Sequence, residues 1–235
     1  MKVFFDVGAF DRSSFIQYTS GCEDFKVYMF EPHPTLASNL RNKFSSDQRF
    51  VIAEKAVCET DGETELYISQ GPWWGTSEEE KIGGSCSIFK FKKNEDISKA
   101  FDHSTALVKN IPCPPRTDLF YSGKNIRVET TRMDTFINEN KITKIDYLHI
   151  DAQGCDLEVL KSFGDHIKLV EEGICECAYD HQSAIYENQK YFLNDLVFWL
   201  SENGFDVLSV EANVPYSADG KNPNELNIRF KKRSN

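Results

Sequence analysis

No stretch of this sequence approaches the roughly 20 consecutive apolar residues of a membrane-spanning helix, so no partner membrane is expected. A basic face is missing too: Asp and Glu outnumber Lys and Arg by 37 to 27, and the formal charge is −10. The one basic run, Lys231-Lys232-Arg233, reads as a solvated end. Proteins that hold a phosphate backbone carry a positive surface, so nucleic acid is not an expected partner. Seven cysteines (Cys22, Cys58, Cys86, Cys113, Cys155, Cys175 and Cys177) contain no C-x-x-C pair, and zinc spacing is therefore absent. Cys175 and Cys177 alternate with apolar residues on a candidate buried strand, as small core thiols do in a reducing compartment. Strand-forming residues begin almost at Met1, with no apolar secretory leader, so a cytoplasmic location is expected. No internal repeat is visible.

What the chain does contain is an alternation of strand and helix patterns. Val3 to Val7 reads as a buried strand, Gly8 and Ala9 as a turn, and Arg12 to Tyr18 as a helix. Val27 to Phe30 is a second strand ending in Glu31-Pro32, and Pro34 starts a helix continued by Leu36, Leu40 and Phe44. Phe50 to Ile52 makes a third strand that closes at Lys55-Ala56-Val57. Asp61-Gly62 is a turn, and Thr64 to Ser69 alternates as an extra strand. Arg127 to Thr131 looks like a return to the main domain, followed by a short helix from near Asp134. Ile145 to Ile150 is a strand that ends on Asp151 and a Gln153-Gly154 turn, with a helix from Asp156. Ile174 to Ala178 is another strand, Tyr191 to Leu200 an amphipathic helix closed by Gly204. Phe205 to Val210 and Leu226 to Phe230 are closing strands across a Pro- and Asn-containing turn, which predicts an antiparallel last strand. The pattern predicts an α/β fold, a mostly parallel sheet with helices on both faces, in a single domain over residues 1–235.

Residues from about 70 to 125 interrupt this order. They hold Trp73-Trp74 between glycines, an acidic run from Glu78 to Glu80, Gly83-Gly84-Ser85-Cys86-Ser87, and Pro112, Pro114 and Pro115. A segment this long with frequent turn formers reads as an elaborated insertion, here a candidate lid over a substrate. Paired tryptophans suit stacking against the C–H face of a sugar.

In an open α/β sheet, ligands sit at the turn leaving the first strand. Gly8 permits close backbone approach there, and Glu31 lies about 20 residues on, one strand over, where an acid can accept from both hydroxyls of a ribose. NAD and S-adenosylmethionine sites share this geometry. The dinucleotide fingerprint needs three glycines, and Phe10 and Ser13 occupy the second and third positions. A pyrophosphate is poorly served, so S-adenosylmethionine is the better match.

Several motifs in order resemble the FkbM-type methyltransferases, a branch of the Rossmann-like class I S-adenosylmethionine-dependent enzymes. They are Phe5-Asp6-Val7-Gly8-Ala9, Phe30-Glu31-Pro32, Lys55-Ala56-Val57, Gly84-Ser85-Cys86-Ser87, Thr131-Arg132-Met133-Asp134 and the run from Ile145 to Leu160. Phe10 and Arg12 depart from the small residues that the family carries in the first turn. The resemblance implies a seven-stranded sheet and a methyl donor held along its edge. Asp6, Gly8, Ala9 and Phe10 would line the methionine end. Glu31, with Pro32 and His33 beside it, would hold the ribose. Ala56 and Val57 would flank the adenine, and Asp151 would lie beside the methyl group.

Transfer of a methyl group to an alcohol requires alignment, exclusion of water, and a base or metal ion for the hydroxyl. Asp151, Glu176 and His181 are expected to converge, with Asp151 as base or metal ligand. Asp151 and Glu176 together would suit Mg²⁺ or Mn²⁺. Gln153 stands where relatives carry Glu and can orient a hydroxyl without taking its proton. His149 alternates inward and is expected to pack. The favoured function is O-methylation of a small-molecule hydroxyl, a sugar or glycan in particular. A non-catalytic cofactor-binding module and, less favoured, an RNA methyltransferase are the alternatives.

Overall fold

A computed structural model describes residues 1–10, 19–69, 82–93, 95–100, 121–212 and 225–234. The expected helix from Arg12 to Tyr18, the Trp73-Trp74 pair, Cys113 and the three prolines after Asn110 lie outside the described residues.

Seven strands form the main sheet: β1 (Lys2–Val7), β2 (Phe25–Phe30), β3 (Phe50–Ala53), β7 (Tyr147–Ile150), β8 (Glu172–Ala178), β9 (Phe205–Ala212) and β10 (Glu225–Lys232). Their order is β3-β2-β1-β7-β8-β10-β9. β1 pairs in parallel with β2 and β7, β2 with β3, and β7 with β8. β10 inserts between β8 and β9 and runs antiparallel to both, as the turn-rich connection before it predicts.

Burial on both faces explains the near-continuous apolar strands. Alternate residues of β1 point to opposite sides. Phe5 and Val7 join Tyr28, Phe30, Leu148 and Ile150 in one cluster, with α2 (Met133–Asn140), α3 (Asp156–Ser162) and α4 (Leu193–Glu202) packed on it. Phe4 joins Val27, Met29 and Leu40 of α1 (Pro34–Lys43) in the other. Phe136 from α2 seats its ring against Phe30, Tyr28 and Phe5, with ring centres 4.7 to 6.1 Å apart.

Two segments depart from the expected assignment. Ala56–Val57 does not continue the third strand but forms β4, and Arg127–Thr131 is the end of a longer β6 (Tyr121–Thr131) outside the main sheet. With β5 (Gly62–Ser69) they make a separate three-stranded sheet in the order β4-β6-β5. Leu66 and Ile68 from β5 and Val128 from β6 pack on Leu36 of α1 and Ala56, which seats this sheet over the carboxyl edge of the main one. Six free cysteines occur among the described residues, and Cys58, Cys155, Cys175 and Cys177 are buried. No described helix is long and apolar enough to cross a membrane.

Candidate active site

Strand order reverses between β1 and β7, and ligands of open α/β sheets bind at such a switch point. A cleft opens there. Its floor is Val7, Gly8, Phe30, Glu31, Asp151 and Ala152, and its roof comes from the small sheet and from Gly83 to Ile88. It encloses about 560 Å³ counted out to its mouth.

Of the residues expected to hold a cofactor, Gly8, Phe10, Glu31, Pro32, Ala56, Val57 and Asp151 line this cleft. Glu31 is buried, with Oε1 accepting from the His33 amide and Oε2 from the Phe10 amide, each at 2.8 Å. Each carboxylate oxygen can accept more than one hydrogen bond. Phe10 takes a left-handed φ of +54° to make its contact. Its ring packs on the Leu36, Ala56 and Leu66 cluster.

Asp6, Ala9 and His33 do not line the cleft. Ala9 packs with Phe4 and Met29, and His33 is buried as the residue before α1. The buried Asp6 carboxylate meets His149 Nδ1 across the β1–β7 pair at 2.8 Å. Burial pulls the His149 pKa down, but the hydrogen bond and charge of Asp6, with Asp151 and Asp156 beyond, more than reverse it. His149 packs inward as expected and carries a raised pKa as well.

Gly8 has a different reason from the expected one. Its φ is +83°, and a Cβ would stand 1.9 Å from the Asp151 backbone carbonyl oxygen. What fills the space is the main chain leaving β7.

Asp151, Gln153 and Glu176 do meet. Gln153 Nε2 donates to Asp151 Oδ1 at 2.6 Å and to Glu176 Oε2 at 3.2 Å. Glu176 is buried, and burial first, then the Asp151 and Glu225 carboxylates and a hydrogen bond with Asp151, push its pKa well up. Burial and the neighbouring carboxylates thus favour the protonated form of Glu176, which can donate a hydrogen bond to Asp151. The Gln153 turn itself is strained, with φ of +52° at Gln153 and +96° at Gly154. Asp156 steadies it by accepting from the Ala152 and Gly154 amides at 3.0 and 3.2 Å. Burial raises the Asp156 pKa to about 8 against the pull of those amides.

His181 does not join this group. It lines neither the cleft nor the smaller cavity beside Glu176. Its backbone carbonyl accepts from Lys92 Nζ at 3.1 Å, and its ring lies 6.1 Å from that of Phe192. The expected divalent-metal pair does not fit either. The NH₂ group of Gln153 lies across Asp151 and Glu176 and presents hydrogens where a cation would need lone pairs. Among the described residues no group of three or more His, Cys, Asp or Glu side chains is disposed to hold a metal ion.

Two further side chains have no role in the sequence reading. Ser87 Oγ donates to the Gln153 carbonyl at 2.6 Å, and the Tyr186 hydroxyl lies 2.6 Å from Gln153 Oε1 and 3.0 Å from the Ser85 carbonyl. The chain around them is stitched: the Lys92 amide donates to the Ile185 carbonyl and the Glu187 amide to the Lys90 carbonyl, while Phe91 and Tyr186 form a bridge. Gly84 to Ser87 stood out as a motif, but nothing local marks Tyr186, whose partner lies 33 residues away.

The family model for the methyltransferase FkbM domain matches residues 6–207. The chain belongs to the FkbM methyltransferase family. The 2-O-methyltransferase NoeI of Sinorhizobium fredii (strain NBRC 101917 / NGR234) is 24% identical over 187 residues, covering 80% of this chain and 66% of that protein. The crystal structure of methyltransferase FkbM from Methylobacillus flagellatus KT superposes with a TM-score of 0.51 at 12% identity, over 97% of this chain and 43% of that one. The chain thus spans under two thirds of the length of either relative. The FkbM fold, a Rossmann-like α/β sheet, is as expected from the sequence.

Proposed function

We propose that this FkbM-family chain is an S-adenosylmethionine-dependent O-methyltransferase of one domain, acting on a hydroxyl of a small molecule, a sugar or glycan in particular. The observation that carries the reading is the Asp151–Gln153–Glu176 group at the edge of the cleft. Glu31 would hold the ribose hydroxyls, Ala56 and Val57 would flank the adenine, and Gly8 and Phe10 would face the methionine end. Lys55 is the one basic side chain in the cleft lining among the described residues, which supports a phosphate-free cofactor over a dinucleotide. A bound sulfonium supplies an activated methyl group, so the chain's task is alignment, dryness and proton removal. Asp151, beside the buried Glu176 whose pKa is pushed up, would accept the proton that the acceptor hydroxyl gives up. NoeI is named a 2-O-methyltransferase, and that supports an oxygen nucleophile here. The 82–92 part of the insertion, which roofs the cleft, supports its role as a cover. Free thiols support a cytoplasmic setting.

Calorimetry with S-adenosylmethionine and S-adenosylhomocysteine tests the cofactor, and a mass-spectrometric screen of glycan acceptors for a product one methylene heavier tests the reaction. Absence of binding to both would favour a module without catalysis. A steep salt-dependent affinity for RNA would point to the RNA alternative, which the net charge of −10 disfavours.

A further inference from the structure

We propose that Tyr186 is a positioning residue of this site: its phenol fixes the Gln153 amide so that both amide hydrogens face Asp151 and Glu176. The inference rests on the O-methyltransferase reading. A side-chain amide has a donor end and an acceptor end of nearly the same shape, and only its neighbours choose between them. Asp151 and Glu176 alone would leave the choice weak, because a protonated Glu176 can donate to an amide oxygen. Tyr186 decides it. Its O–H donates to Gln153 Oε1 at 2.6 Å, with the Ser85 carbonyl as a second acceptor at 3.0 Å. The NH₂ group must then turn to the acids, where it reaches Asp151 Oδ1 at 2.6 Å.

The surroundings are built for this. Tyr186 is 3% exposed and packs on Phe91, with ring centres 5.1 Å apart. Its ring also lies on the turn, where a Cβ on Gly154 would come within 2.8 Å of Tyr186 Cδ2. Ser87 holds the other side through the Gln153 carbonyl. A left-handed Gln153 is costly and persists only when its neighbours over-determine it; here Ser87, Tyr186 and Asp156 do so. The donated amide hydrogens stabilise the negative charge that the pair needs to accept a proton. Among the described residues, Asp151, Glu225 and Asp156 are charged groups that act on Glu176, and none of them is removed by changing Tyr186.

Tyr186→Phe keeps the ring and deletes the O–H, so it isolates the amide-orienting bond. In full-length protein labelled with ¹³C at its carboxyl carbons, Glu176 is assigned by its loss in Glu176→Gln. The pair's titration should move up by about one pH unit in Tyr186→Phe, the equivalent of one lost hydrogen bond. This readout needs neither cofactor nor acceptor. Where an acceptor is in hand, kcat should fall by up to about 10²-fold, with the acidic limb of its pH profile displaced upward by the same unit. S-adenosylmethionine affinity should stay unchanged, since Tyr186 does not line the cleft. A folded Tyr186→Phe protein whose Glu176 titrates as in the wild type overturns the proposal. Should that variant fail to fold, Gln153→Met removes the amide that Tyr186 orients, and a Glu176 titration unmoved there overturns the proposal too. If the wild type binds no S-adenosylmethionine, the methyltransferase reading falls, and the titration still judges the clamp.

Discussion

Replacing Gly8 with alanine separates two explanations for that residue. The new Cβ would sit 1.9 Å from the Asp151 carbonyl oxygen, a backbone atom, and must retreat by about 1.1 Å to reach even the 3.0 Å limit of real contacts. Retreat pulls on the Asp151 amide, which donates to the Val7 carbonyl at 2.9 Å. Left-handed backbone at a non-glycine residue costs about 1–2 kcal/mol. Overpacking adds about 1–3 kcal/mol, and a weakened hydrogen bond about 1 kcal/mol. Together these come to about 3–6 kcal/mol, or roughly 6–24 °C in Tm for a domain of this size. Scanning calorimetry of wild type and Gly8→Ala without cofactor measures it. A variant that melts within a degree or two of wild type but no longer binds S-adenosylmethionine would refute the packing account, and Gly8 would then be kept for ligand approach after all.

Other changes probe the site directly. Glu31→Gln replaces charge-assisted acceptance with a neutral amide, worth about 1.5–3 kcal/mol, so S-adenosylmethionine should bind about 10- to 150-fold more weakly by titration calorimetry. Asp151→Asn should lower kcat about 10²- to 10⁴-fold; undiminished turnover removes Asp151 from the role of base. His149 has a folded pKa above its unfolded value of about 6.5. Its contribution to stability is therefore complete below that pH and fades as pH climbs through the folded value. The Tm gap between wild type and His149→Gln should narrow on going from pH 6 to alkaline pH, and a gap that widens would show that His149 is buried neutral.

Much of the main sheet is visible in local pattern. Phe4 to Val7 and Val27 to Phe30 are long enough and apolar enough to be buried parallel strands, and Glu31 is conspicuous because an acid at the end of such a strand has no packing reason to be there. The small sheet is not visible in this way. Val57 pairs with Thr131 and Gly62 with Thr130, and periodicity tells that a segment is extended without telling which partner it meets. The same limit hid the ion pair of Asp6 with His149, 143 residues apart, and the phenol of Tyr186. His181 misled in the opposite direction: nearness in sequence to Glu176 suggested convergence, but the chain turns away after β8.

The main-chain hydrogen bonds between Lys90–Lys92 and Ile185–Glu187 carry a cost for any future change of acceptor preference. Two loops almost a hundred positions apart share one seam, so lengthening or trimming either would unpick the other and slacken Gln153 with it. Remodelling one loop alone should give inactive proteins far more often than new specificities, and productive redesigns should alter both sides of the seam together.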